Sequence, residues 1–139
     1  EAETALGWKP KVETQSGDTS ITEAVCAAAA SAVMSISASA IVAFSEQGRT
    51  ARLISKQRPR APIIAFTPFE PIRQQMALYW GVRPYTMRQI EQTDARVYEA
   101  EQRLKAEGLV TAGQRIVILS GTRVGHPGGT NLIKLQEVG

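Results

Sequence analysis

The chain has 139 residues, 43% of them apolar and 21% charged, with a formal net charge of +3. That length holds one domain with a sizeable core and leaves little room for a second. The basic residues are dispersed rather than massed, which excludes a nucleic-acid arm or a basic membrane-surface patch and suits a small anionic ligand better than a polyanion.

Residues 1–17 read as a lead-in. Glu1 to Leu6 resembles the tail of a helix ended by Gly7, and the polar stretch from Lys9 to Gly17 reads as a linker. Ser20-Ile21-Thr22-Glu23 has the spacing of a capping box, a hydroxyl with Glu three positions on, and predicts a helix to about Ser37. Alanine dominates that helix, and small side chains let it pack close to a sheet. Its one cysteine, Cys26, excludes an internal disulfide and reads as a small buried apolar residue. The lack of paired cysteines suits a reducing, cytoplasmic compartment. Ala40 to Phe44 is an apolar strand run. The turn Ser45-Glu46-Gln47-Gly48-Arg49-Thr50 follows, then a helix over 49–58 stopped by Pro59.

Pro62 to Phe66 is a second apolar run, too short for a helix. It leads into Thr67-Pro68-Phe69-Glu70, again with capping-box spacing, which predicts a helix to Tyr79-Trp80 ended by Gly81. Val82 to Tyr85 is a short extended piece. Ile90, Thr93, Val97, Ala100 and Leu104 recur at spacings of three and four and predict an amphipathic helix closed by Gly108. Its carboxylates Glu91, Asp94, Glu99, Glu101 and Glu107 read as a solvated face, with Arg96 and Arg103 as surface partners. Arg115 to Leu119 is a third buried strand run. A Gly-rich loop from Gly121 to Gly129 comes next, then Asn131 to Gln136, which alternates polar and apolar like an edge strand. The alternation of apolar strands with helices predicts an α/β three-layer sandwich: a mostly parallel sheet of about five strands, the last antiparallel, with helices on both faces. No run reaches the ~18 apolar residues of a membrane span, and the N-terminus lacks a secretory layout.

In such a sheet ligands bind outside the carboxyl ends of the strands. Two loops leave those ends, 45–50 and 120–130, and both carry glycine and hydroxyl residues. A turn that opens a helix offers unpaired N–H groups and a partial positive charge, which together favour a phosphate. Backbone N–H groups with Ser45 and Thr50 could hold it, while Arg123 and the backbone around Gly125 and Gly128 wrap the rest. The blander account is that both loops are ordinary connections. The turn has no Walker A lysine, and no Gly-x-Gly-x-x-Gly fingerprint is present. His126, the one histidine, stands without metal-ligand partners in sequence and reads as a loop residue. Tyr79 and Trp80 read as packing residues. No nucleophile with a base and no metal-ligand set is visible.

The segment from Ile41 to Pro59, continuing from Ala61 through Pro62-Ile63-Ile64-Ala65-Phe66-Thr67-Pro68, resembles the C-terminal domain of pyruvate kinase. Leu78 to Pro84, Gly108-Leu109-Val110 with Gly113, Ser120-Gly121, Gly128 to Asn131 and Thr22 to Val25 match it in the same order. The resemblance covers about residues 18–138. The opening Glu1-Ala2-Glu3 resembles the end of the last barrel-domain helix, so the expected division is a lead-in at 1–17 and the C-terminal domain at 18–139. The lack of an initiator Met suits an excised domain.

The resemblance implies a domain that binds a phosphorylated allosteric effector, builds one tetramer interface and has no catalytic residues of its own. The effector would be fructose 1,6-bisphosphate, AMP or a sugar monophosphate. Phosphoenolpyruvate, ADP, magnesium and potassium belong to the barrel, which this chain lacks, so the chain itself would carry no metal or other cofactor. Carried over by position, Ser45, Gln47, Gly48, Arg49 and Thr50 would hold the effector phosphate. Arg96 would contact a second phosphate, and the loop from Arg123 to Thr130, with Gly125 and Gly128, would close over the ligand. Nucleic acid and membrane are not expected partners. Two positions depart from the family pattern: Gln47 stands where a hydroxyl is common, and Glu46 places a negative charge beside the phosphate. Two other readings are a freestanding phosphometabolite-binding protein and a structural module for subunit contact without an effector.

Overall fold

The computed structural model describes residues 17–121 and 130–139. The elements run α1 Gly17–Ile36, β1 Ala40–Phe44, α2 Arg49–Lys56, β2 Ile63–Thr67, α3 Glu70–Met76, β3 Val82–Thr86, α4 Thr93–Ala106, β4 Arg115–Gly121 and β5 Thr130–Glu137. The strands form one sheet in the order β3-β2-β1-β4-β5. Pairing is parallel from β3 to β4, and β5 is antiparallel to β4. This is the sandwich the strand runs predict.

The central strand β1 pairs with β2 through Ile41 opposite Ile63 and with β4 through Ile41 opposite Val117. Successive side chains of a strand point to opposite faces, so one apolar run supplies two cores. Ile41 and Ala43 join Cys26, Ala29 and Val33 of α1, Ala51 and Ile54 of α2, and Met76 of α3. Ala40 and Val42 join Val97, Ala100 and Leu104 of α4. Connections from β1 to β2 to β3 step one way across the sheet, and α4 returns the chain past β1 to β4. With right-handed crossovers, that reversal puts α4 on the face opposite α2 and α3.

Several helix ends differ from expectation. α1 begins at Gly17, so Ser20 to Glu23 lie inside the helix rather than forming its cap. Its buried stripe is Thr22, Cys26, Ala29 and Val33, spaced four, three and four, as a helix laid on a sheet requires. α1 and α2 each end on a left-handed residue that is not glycine, Ser37 at φ 54 and Arg58 at φ 49. The Ala38 N–H reaches back to the Val33 carbonyl at 3.0 Å, closing the end of α1.

α3 starts at Glu70 with Phe69 as its cap residue and with Pro71, not Pro68, in its first turn. Thr67 belongs to β2, opposite Thr86. Its hydroxyl donates to the Glu46 carbonyl at 3.1 Å and accepts the Phe69 N–H at 3.3 Å. Strand pairing outweighs the cap, which is worth only about 1 kcal/mol.

Two charged residues expected on the wet face of α4 are buried, Arg96 and Glu101. Glu101 accepts from the Gln136 side-chain amide and, at 3.0 Å, from the Gly139 N–H. It thereby fastens the end of β5 to α4.

Cys26 is fully buried, as expected. Burial pushes its thiol from 9.0 up to about 11, with Glu23 adding to the rise and Arg49 opposing it. The folded state holds this proton more tightly than the unfolded chain does. The associated stability is therefore intact below pH 9 and is lost as the pH rises from 9 toward 11. Urea unfolding between pH 8 and pH 11 should show that loss, and Cys26→Ala should flatten it. An unchanged alkaline slope in the variant would contradict the assignment.

Candidate functional site

The carboxyl ends of β1 and β4 lie side by side where the strand order reverses, with α2 following β1 and β5 following β4. This is the topological switch point of the sheet, where a crevice forms between diverging connections. Ser45 leaves β1 with its N–H on the Phe66 carbonyl at 2.9 Å and is buried. Its hydroxyl turns forward and accepts the Ala51 N–H at 3.3 Å, satisfying one of the four donors that open α2.

Gly48 is the residue before that helix, at φ 85, and its carbonyl receives the first helical bond from Arg52 at 3.0 Å. A side chain there would be strained by the positive φ, and a Cβ would stand 3.4 Å from Met76 Cγ. Met76 itself is fully buried. The turn therefore sits against α3 and has little freedom to drift.

Thr50 follows in the first turn of α2. Its hydroxyl meets that of Thr130, the first residue of β5, at 2.6 Å, and both residues are buried. Thus the two predicted loops do meet: the cradle after β1 is bonded to the residue that ends the β4–β5 connection. Gln47 is exposed and Arg49 half-buried. The positive charge of Arg49 opposes the rise of the Cys26 thiol.

Arg96 comes to the same edge from α4. One terminal nitrogen of its guanidinium donates to the Ser120 hydroxyl at the end of β4, and the other donates to the Ile90 carbonyl at 3.4 Å. The guanidinium lies over the Phe44 ring, 5.0 Å from its centroid. Burial lowers its affinity for its proton, and the charge of Glu46 partly restores it. The Glu46 carboxylate accepts from the Gln89 side-chain amide at 2.7 Å. Its negative charge is thus shared between a neutral donor and Arg96 instead of facing the helix N-terminus alone.

The structure brings together Ser45, Gly48, Thr50, Thr130 and Arg96. Arg123, Gly125, His126 and Gly128, like the lead-in before Gly17, lie outside the described residues. Sequence reasoning passed over Gln89 and treated Arg96 as a surface charge until the resemblance singled it out. A hydroxyl at the last buried position of a strand, Ser120, was the available signal for an inward-facing helix arginine.

The sequence matches the family described as pyruvate kinase, alpha/beta domain, over residues 23–136. The chain belongs to that family. Pyruvate kinases from Staphylococcus aureus (strain MRSA252) and Staphylococcus epidermidis (strain ATCC 35984) are each 38% identical to it over 122 residues, covering 88% of this chain. The chain spans 21% of the length of these curated relatives. A crystal structure of a pyruvate kinase from Cryptosporidium parvum superposes with a TM-score of 0.78 at 28% identity, over 86% of this chain and 23% of that one. The chain thus corresponds to the C-terminal α/β domain of pyruvate kinase.

Elsewhere in this pyruvate kinase domain, Trp80 corrects an expectation. The residue is 48% exposed rather than packed into the core, with the Arg58 guanidinium 4.7 Å from its ring centroid. It lines a surface groove of about 360 Å³ with Pro59 to Pro62 and Gly81 to Arg83. That groove lies at the amino ends of β2 and β3, the sheet edge opposite the cradle. No helix among the described residues is long and apolar enough to cross a membrane.

The shape of the cradle depends on Gly48. Replacing it with alanine should cost about 1–3 kcal/mol from the left-handed backbone, measured by urea unfolding. A cost below about 0.5 kcal/mol, typical of an unconstrained surface change, would contradict that dependence.

Proposed function

We propose that this chain is the regulatory and subunit-contact domain of a pyruvate kinase, the enzyme that converts phosphoenolpyruvate and ADP to pyruvate and ATP in glycolysis. In this reading it binds a phosphorylated allosteric effector at the turn 45–50. The observation that carries the reading is the convergence of Ser45, Gly48 and Thr50 on the opening of α2, at the switch point of the sheet. A helix N-terminus supplies donors and partial positive charge, Arg49 adds a full one, and the phosphate needs no metal to be held. The resemblance supplies the effector class: fructose 1,6-bisphosphate, AMP or a sugar monophosphate.

Arg96 is the candidate for a second phosphate, in keeping with its position at the same edge. It would reach one by sharing or exchanging its bond to Ser120. Catalysis, with its magnesium and potassium, belongs in this reading to the barrel of the parent enzyme. Allostery would follow from differential affinity: the effector acts by binding the active arrangement of subunits more tightly than the inactive one. Self-association through this domain is part of the same proposal. β5, the outer strand of the sheet next to β4, carries Leu135 half-exposed on the surface. The proposal places the protein in the cytoplasm.

One feature supports a second reading, a subunit-contact module without an effector. Gln47 offers no hydroxyl at a position where the cradle could use one, and Glu46 stands next to it.

Calorimetry separates the two readings. At least one of fructose 1,6-bisphosphate, AMP, glucose 6-phosphate and ribose 5-phosphate should bind, and the double variant Arg49→Ala, Thr50→Ala should weaken it by about tenfold or more, the loss of charge-assisted hydrogen bonds. The absence of heat from all four at millimolar concentration would contradict the effector reading and leave the contact module.

A further inference from the structure

Thr130, expected to line the ligand, has its hydroxyl against another hydroxyl in the structure. The Thr50 and Thr130 oxygens lie 2.6 Å apart, and the residues are 2% and 4% exposed. At that distance one of the two donates to the other. The direction is not arbitrary once an anion is present. A hydroxyl has one proton to give and two lone pairs to accept with. If Thr50 gave its proton to Thr130, it would show an approaching anion only lone pairs. If Thr130 gives its proton to Thr50, the Thr50 proton is free to point along the cradle.

We infer that Thr130 is a positioning residue for the anion site: it donates to Thr50 and thereby aims the Thr50 hydroxyl proton at the bound phosphate. This inference rests on the reading of 45–50 as a phosphate site. Ordered this way, the two hydroxyls form a relay in which each bond polarises the next, in a buried setting that strengthens both. The same contact fixes the start of β5 against α2, so the residue that aims the donor also anchors the far end of the β4–β5 connection.

The test is a double-mutant cycle on the 139-residue chain, with phosphate-ester affinity read by calorimetry. Inorganic phosphate is the minimal probe and ribose 5-phosphate the larger one. Thr130→Val keeps the shape and removes the donor, and should weaken binding about tenfold. Thr130→Ser restores the donor and should return affinity to within about twofold of the parent. In the Thr50→Val background, Thr130→Val should cause no further loss, because its effect passes through Thr50.

Additive losses in the double variant would mean that Thr130 contacts the ligand directly, overturning the inference while leaving the phosphate site in place. Equal affinity for the parent and Thr130→Val would overturn it likewise. No binding of either probe by the parent chain would remove the site itself, and the inference with it. Should Thr130→Val fail to fold, Thr130→Ala replaces it in the same cycle. A tenfold loss rescued by serine supports the inference there, and parent-like affinity overturns it.

Discussion

The candidate site exists because β1 lies between β2 and β4, while α2, which leads out of β1, and α4, which leads into β4, pack on opposite faces. α2 carries the chain from β1 to β2 on one face, and α4 brings it back to β4 on the other. That reversal places the first turn of α2 at the carboxyl edge, beside the end of β4. Every other feature of the site is an adjustment within this constraint. Gly48 lets the chain turn tightly enough to start α2 at once. Ser45 covers one of the helix's open donors. Thr50 and Arg96 tie down the start of β5 and the end of β4, one from each face.

The electrostatics at this edge are balanced rather than simply positive. Arg96 is buried under Phe44 and held by neutral oxygens, an expensive place for a cation unless a negative charge is near. Glu46 supplies that charge, and Gln89 holds it there. The carboxylate that looked in sequence like an obstacle to phosphate binding therefore also supports the buried arginine. In the proposed reading, an anion at this edge would meet a half-buried cation at the helix start, one buried cation and one carboxylate.

Much of this was legible in the chain. Ala40 to Phe44 and Arg115 to Leu119 are continuous apolar runs, and a strand buried on both faces has no other way to look. The stripe Val97, Ala100 and Leu104 declared which face of α4 meets the sheet. Thr50 and Thr130, one on each predicted loop, do contact each other. What failed to show were features set by partners distant in sequence. Thr67 looked like a helix cap and became the end of β2, because Thr86 pairs with it and Glu46 takes its hydroxyl proton. Glu101 looked like part of a wet face, since its partners Gln136 and Gly139 lie more than thirty positions away. Ser37 and Arg58 end their helices in a left-handed conformation without the glycine that normally marks it.

The central claim is that the opening of α2 receives an anion at the switch point. Amide chemical shifts recorded while inorganic phosphate is titrated into the ¹⁵N-labelled chain test it most directly. The account predicts saturable shifts concentrated on Gly48, Arg49, Thr50 and Ala51, with Thr130 following at the same ligand concentration. Shifts that never saturate, or that spread over surface arginines such as Arg52, Arg60 and Arg83 while Gly48 to Ala51 stay still, would contradict it.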